Sequence, residues 1–373
     1  MYGYTWVSFA SSVGRLSPCV QPEGAQELTR LTRKMAALAS RLRKRDAVQV
    51  TPAADEVDAL LPAVSVVALP NELLQHVFGR LCNVLDPGIA MSFSSVSNGL
   101  RTATQALQQR LKTGHEAAAA LCLKVGLQSC KELREATQVV WQFKGLTAAD
   151  LGLLGRLGSV LPSLESLNIL EVSVGPDGVQ RLAEGLGAGA LPAVTWFQLL
   201  STHMGDAGAS ALAAALGRGA LPRLQLLALC NAAIGDAGLV ALAPALRRLP
   251  ALEVLHLMGN PFGDEGLAAL VASPPPAGVL SPPTGVLAKL QELDLEYAQL
   301  SDAGCATLAA ALDSGALPWL EMLGLLDIPA SAAAIATVYE ARPHLKKLEW
   351  EQLGPESDDD EGEESEEDGE EDE

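Results

Sequence analysis

Aromatic side chains are scarce in this chain. Phe, Trp and Tyr make up 4% of its 373 residues, although hydrophobic residues as a whole reach 49%. A core filled by Leu and Ala, without rings, needs a regular, repeated packing scheme. No run of roughly eighteen uninterrupted apolar residues occurs, so a transmembrane helix is not expected. The six cysteines are Cys19, Cys82, Cys122, Cys130, Cys230 and Cys305. They form no CxxC pair and no His cluster stands beside them, so neither a disulfide framework nor a zinc site is expected. Cys122 and Cys230, in apolar contexts, read as small hydrophobes. A reducing compartment, cytoplasm or nucleus, follows as an expectation.

Catalytic signatures are missing as well. There is no Walker or Rossmann glycine loop, no GxSxG and no HExxH. His76, His115, His203, His256 and His344 are scattered. The expectation is therefore a chain without enzymatic activity, cofactor or metal. A broad basic surface is lacking too, which argues against nucleic acid. Net charge is −19, and Glu356–Glu373 holds 14 acids with no base, leaving −5 for the rest. Residues 354–373 thus read as a disordered acidic tail, since like charges repel and nothing apolar offsets them. Ser357 and Ser365, each followed by acids, resemble acidophilic casein-kinase-type phosphosites. The tail either solubilises the chain or binds a basic protein.

Residues 1–25 read as a disordered leader, too polar for a secretory signal and too poor in Arg for a transit peptide. Residues 26–45 place Leu28, Leu31, Met35, Leu38 and Leu42 on one helical stripe opposite a basic face. A short coiled coil, an import patch, a membrane-surface helix and a helix docked on its own domain all remain open. Residues 46–66, with Pro52 and Pro62, read as a linker.

From here the chain repeats itself. Openings of the form LPxLxxLxL start at Leu161, Leu191, Leu221, Leu249, Leu287 and Leu317, spaced 30, 30, 28, 38 and 30 residues apart. A weaker copy lies at Ala136, Val139 and Trp141, and a degenerate one at Leu345, Leu348 and Trp350. Each copy opens with alternation, a strand burying one face. A Gly-Asp or Ser-Asp turn follows, at Asp206, Asp236, Asp264 and Asp302. Helical spacing comes last, as in Leu239, Leu242 and Leu246. The Asp positions suit N-caps of the helices they open. One unit cannot stand alone: a buried Leu contributes roughly 1.5–3 kcal/mol, against about 1–2 kcal/mol per residue of backbone ordering. Stacked neighbours bury both sides of each unit. The excess in the repeat from Leu249, residues 273–285, is a proline-rich insertion, either a docking motif or a tolerated surface loop.

These motifs resemble leucine-rich repeats of the ribonuclease-inhibitor subfamily, over residues 133–353, about 60% of the chain. The resemblance implies an α/β fold, a horseshoe solenoid with parallel strands inside and helices outside. The subfamily's repeat Asn survives only as Asn260; Val172, Thr202, Ala232, Ala298 and Ile328 stand at the other copies.

Before the repeats, Leu73, Val77 and Leu81 share one helical face, with Leu74 and Phe78 beside it. Asp86-Pro87-Gly88 breaks the chain before a second apolar run through Phe93, Val96 and Leu100. The pattern at Leu69, Pro70, Leu73, Leu74, Phe78 and Leu81 resembles an F-box, a small all-α unit over residues 67–110, followed by a helical connector over 111–132. That resemblance implies adaptor binding by those six residues, to a Skp-type adaptor and its cullin complex, and a role as substrate receptor of a ubiquitin ligase. The competing reading is an unrelated helical cap on a stand-alone repeat scaffold or regulator, like nuclease inhibitors or small-GTPase activators.

A partner surface is expected on the outward strand positions, which point into the hollow. Trp196, Gln198, Leu200, Leu226, Val254, His256 and Met258 supply a largely apolar patch, flanked by Glu292, Asp294 and Glu296. An apolar anchor beside a charged edge suits a protein-binding surface. His256 is either ligand-facing or a solvated surface His. The face itself either meets a partner with an apolar anchor and a basic flank, or is covered by the chain's own segments.

Overall fold

The computed structural model describes residues 71–271 and 287–348, with the side chain of Leu73 excepted. Leu69, Pro70, Trp350, the segments read as leader, basic helix and linker, the insertion at 273–285, and the tail with Ser357 and Ser365 lie outside the described residues.

The described part begins with helices α1 (Asn71–Leu81), α2 (Gly88–Ser95) and α3 (Asn98–Val125). Phe78, Ala90 and Leu111 are the buried centre of this trio, with Leu81, Val84, Phe93 and Leu107 packed around them. Ser97 starts α3 by accepting the Leu100 N–H at 3.2 Å, a standard N-cap exchange of an orphan donor for a side-chain oxygen. Gly126 ends it in the left-handed conformation, φ 94°, where lack of a Cβ removes the penalty. Helix α3 is continuous for 28 residues. A boundary at 110/111 therefore falls inside one helix, and its two halves do different jobs. The first half closes the helical trio. The second half places Ala118, Leu121, Cys122 and Val125 in the same core as Val139, Trp141 and Leu154 of the first repeats. Salt bridges Arg134–Asp86 at 2.8 Å and Lys124–Asp150 at 2.6 Å join the same regions.

After the short helix α4 (Cys130–Glu135) come strands and helices in alternation: β1 (Gln138–Gln142), α5 (Ala148–Leu157), β2 (Ser166–Leu170), α6 (Gly175–Gly185), β3 (Trp196–Leu200), α7 (Gly205–Gly217), β4 (Leu226–Ala228), α8 (Asp236–Leu246), β5 (Val254–His256), α9 (Asp264–Val271), β6 (Glu292–Asp294), α10 (Asp302–Asp313), β7 (Met322–Gly324), α11 (Ala332–Ala341) and β8 (Lys346–Lys347). The strands form one parallel sheet of 8, in chain order. Each strand-to-strand crossover runs through the helices, as parallel pairing demands. The weaker copy at Val139 and Trp141 is β1, and the degenerate one is β8. Register aligns Val139, Leu167, Phe197, Leu227, Leu255, Leu293 and Leu323 as one inward column, and all seven are buried.

The turn aspartates differ from expectation. They do not cap their own helices. Asp206 accepts the N–H groups of Gly235 and Gly238 at 2.7 and 3.0 Å, at the start of the next helix, α8. Asp236 does the same for Gly263 and Gly266. Asp264 takes the backbone N–H of Ser301, and Asp302 that of Ser331. Each carboxylate thus meets the unpaired N–H groups of the following rung, where the helix dipole favours negative charge. Glycine is required opposite them: a Cβ on Gly238 or Gly266 would stand 2.6 or 2.9 Å from the aspartate oxygen. Arginines serve the other helix ends in the same inter-rung manner. Arg218 donates to the Ala183 and Leu186 carbonyls, and Arg342 to those of Leu312 and Ala316.

Asn260 is buried and satisfies two turns at once. Its Oδ1 accepts from the N–H of Ala232 and Ile234, and its Nδ2 donates to the carbonyls of Leu229 and Leu257. Val172 does not occupy the equivalent slot in its own repeat; it is exposed. Glu171 fills that role. Its carboxylate accepts from the N–H of Gly145 and Leu146 at 2.7 and 3.1 Å. Burial works to raise its pKa, but hydrogen bonds from the Ser173 hydroxyl and the Leu146 and Gly145 N–H groups win, and the net shift is downward. A glutamate, one methylene longer than Asn, reaches the preceding turn from one position earlier.

Candidate protein-binding surface

The outward side chains of the sheet form three columns. Register brings Ser166, Trp196, Leu226, Val254, Glu292 and Met322 side by side, and next to them Asn168, Gln198, Ala228, His256, Asp294 and Gly324. The third column opens with Leu170 beside Leu200. It continues past the shorter strands through Cys230, Met258 and Glu296, carried by bonds such as Ser201 N–H to the Cys230 carbonyl.

Its first strands are neutral and open. Trp196 is 51% exposed and Val140 52%. Asn168 donates to Gln198 Oε1 at 2.6 Å. From β4 to β6 the face closes up. Leu226, Ala228 and Cys230 are buried together, with Leu200, Val254 and Met258 packed on them. Cys230 behaves as a hydrophobe there; burial, and then the charge of Asp294, push its thiol up to about 12.

Beyond this cluster sits the acidic rung. Glu292 is half-buried, Asp294 fully buried and Glu296 2% exposed. His256 is neither solvated nor extended toward open space. It is 8% exposed and its Nε2 lies 2.6 Å from Glu292 Oε1. The Asp294 Oδ1 accepts the Glu296 N–H at 2.9 Å. Burial raises the Asp294 pKa and the charge of Glu292 adds to that, outweighing the Glu296 N–H and His256. The next strand makes room for these side chains through Gly324, whose Cβ would stand 2.8 Å from Asp294 Oδ1 and 2.9 Å from Glu296 Cγ. At the strand ends, Tyr297 holds a left-handed backbone, φ 57°, and its hydroxyl is raised in pKa by hydrogen bonding to Asp327 and by that residue's charge.

The expected strand-face residues are therefore brought together, but with a different balance of burial than alternation alone implies. Trp196 projects; Leu226, His256, Asp294 and Glu296 do not. The adaptor-binding expectation fares differently. Leu74 and Phe78 are 4% and 0% exposed, and Phe78 is at the centre of the helical trio. Phe78 holds that trio together, and neither side chain offers surface. Among the described residues the trio presents Ile89 and Val96, 54% and 71% exposed, and, near the end of α3, Leu123 at 69%.

A family model described as Leucine Rich repeat matches residues 249–271 and 286–309. These segments are leucine-rich repeats. They coincide with the rungs β5–α9 and β6–α10, which carry Asn260, Val254 and the acidic triad. Among solved structures, the repeat protein is similar to the yeast complex of Rad7 and Elc1, at 15% identity and TM-score 0.37, over 54% of this chain and 44% of that one. The match thus spans less than half the length of the yeast chain. An internalin, InlF of Listeria monocytogenes, is similar at 13% identity and TM-score 0.26, over 62% of this chain and 87% of that one. No curated protein matches the chain. Among the described residues no helix is long and apolar enough to cross a membrane.

Proposed function

We propose that this chain is a non-catalytic protein-binding module. Its leucine-rich repeats, of the ribonuclease-inhibitor type and horseshoe form, receive a target protein on the strand face. The observation that carries this reading is the apolar cluster of Leu200, Leu226, Val254 and Met258 on outward positions, where the fold itself requires no hydrophobe. Contiguous apolar groups beside charged ones are the usual make-up of an interface centre. In the fuller form of the proposal, helices α1–α3 act as an F-box. The chain then serves as substrate receptor of a cullin-type ubiquitin ligase, in the cytoplasm or nucleus.

One observation favours a second reading. The latter half of α3 shares its core with the first repeats, as a terminal cap of a solenoid does. The helical trio is then a cap, and the chain a stand-alone scaffold or regulator. Binding of a purified Skp-type adaptor separates the two. The receptor reading expects binding by the full chain that is lost in Ile89→Asp/Val96→Asp, whose sites are exposed and leave the trio's core intact. No binding by the wild-type chain leaves the scaffold reading. The strand-face claim is tested separately by affinity purification with Trp196→Asp/Met258→Asp. Partners lost with unchanged circular dichroism support it; partners retained reject it.

A further inference from the structure

Across β1–β7 the outward positions carry no lysine or arginine. The carboxylates among them are gathered on one rung, at Glu292, Asp294 and Glu296, directly beside the apolar cluster. Asp294 stands out within that group. It is fully buried, its Oδ1 is used by the Glu296 N–H, and its Oδ2 has no hydrogen-bond partner among the described residues. A desolvated carboxylate oxygen without a donor is an unfavourable arrangement that fold stability does not call for. The arrangement is built rather than incidental: Gly324 clears the space into which Asp294 and Glu296 lie.

Resting on the strand-face reading above, we propose that this rung seats the cationic side chain of the bound protein segment, an arginine or lysine, next to an aliphatic side chain of the same segment that rests on Leu200, Leu226, Val254 and Met258. Glu292, its side chain 13% exposed and its Oε1 2.6 Å from His256 Nε2, is the first carboxylate such a cation meets, and Asp294 supplies the unused acceptor beneath it. Arginine suits the seat better, because its planar fork can satisfy two carboxylates at once. Neighbouring strands are about 4.8 Å apart, so anchor and cation sites lie one or two strand spacings from each other. That separation matches residues about two to four apart in the partner, whether extended or helical.

The test is selection of a phage-displayed random peptide library on the immobilised full chain, followed by affinity measurement on one enriched synthetic peptide. The expected result is enrichment of Arg or Lys within about four residues of Leu, Ile, Met or Phe. The peptide's affinity should fall by about tenfold or more in Glu292→Gln and in Asp294→Asn, and fall with added salt. Glu292→Gln is read beside His256→Gln, because Glu292 also meets His256: loss of affinity in the first with retention in the second carries the inference, and equal loss in both overturns it. Peptides that depend on Val254 and Met258 but carry no base overturn the inference and leave the strand-face reading standing. Basic peptides without an aliphatic residue, displaced by spermine, also overturn it. Absence of enrichment, or enrichment indifferent to Val254→Asp/Met258→Asp, overturns both.

Discussion

Strands β1–β3 and β4–β6 bury the same kinds of side chain inward and differ outward in burial and charge. Inward, Leu167, Phe197, Leu227, Leu255 and Leu293 form one column, every member fully buried. Outward, the first three strands show Ser166, Asn168, Gln198, an exposed Val140 and a projecting Trp196, with Leu200 at the edge of the cluster that follows. The next three show a closed apolar cluster and then buried acids. Stacking dictates the inward column, because a rung lacking it cannot bury its neighbours. Stacking places no such demand outward. The difference between the two halves therefore reports on what the surface does, and it concentrates the candidate site on the later rungs.

The sharpest way to break this comparison is to truncate neighbouring residues on opposite faces. Phe197→Ala should lower stability by about 3–5 kcal/mol, through lost transfer energy and the cavity left behind. Trp196→Ala, one residue away and half exposed, should change it by less than about 1 kcal/mol. Urea denaturation of both variants measures this; similar losses would mean that the two faces are not distinct.

A smaller effect is expected at the turns. Asn260→Ala removes acceptors and donors from four buried backbone groups and should destabilise by about 2–4 kcal/mol. Thr202 occupies the corresponding position after β3, fully buried, with a hydroxyl that has no partner among the described residues. Thr202→Val should accordingly be neutral or stabilising, by up to about 1 kcal/mol. Thermal melts of the two variants, moving in opposite directions, check that the rung after β5 is pinned by its polar side chain and the rung after β3 is not.

The smallest expected effect concerns the acids. Asp294 has a folded pKa raised above its unfolded value, chiefly by burial. Its ionisation therefore weakens the folded state at neutral pH and has no such effect below the unfolded value near 3.9. Asp294→Asn should melt higher than wild type at pH 7, with the gap closing as pH falls toward 4. Glu171 runs the other way. Its folded pKa is lowered, so its contribution is present at neutral pH and is lost as pH falls through that lowered value.

Much of this architecture was readable beforehand. The periodic openings at Leu161 through Leu317 correspond to β2–β7, because a strand that buries one face must alternate. The outward set from Trp196 to Glu296 follows from the same alternation. What alternation does not carry is the relation between one rung and the next. Asp206 and Asp236 reach forward to the following helix, yet a Gly-Asp turn reads the same for a carboxylate capping its own helix. Glu171 serves the preceding turn because its side chain is long enough, a matter of reach rather than pattern. His256, Asp294 and Glu296 occupy outward positions and are still buried, since their surroundings come from neighbouring strands distant in sequence. Phe78 matches a binding motif in type and spacing, but a small helical unit must first spend its largest side chains on its own core.

The most direct measurement is a substitution scan of inward and outward positions on β3–β6, reading both cellular abundance and capture of the partner purified with the wild-type chain. The account predicts that positions 197, 227, 255 and 293 lose abundance, while positions 200, 254, 258 and 292 keep it and lose capture. Loss of abundance alone at 254, 258 and 292, or capture unaffected there, would contradict it.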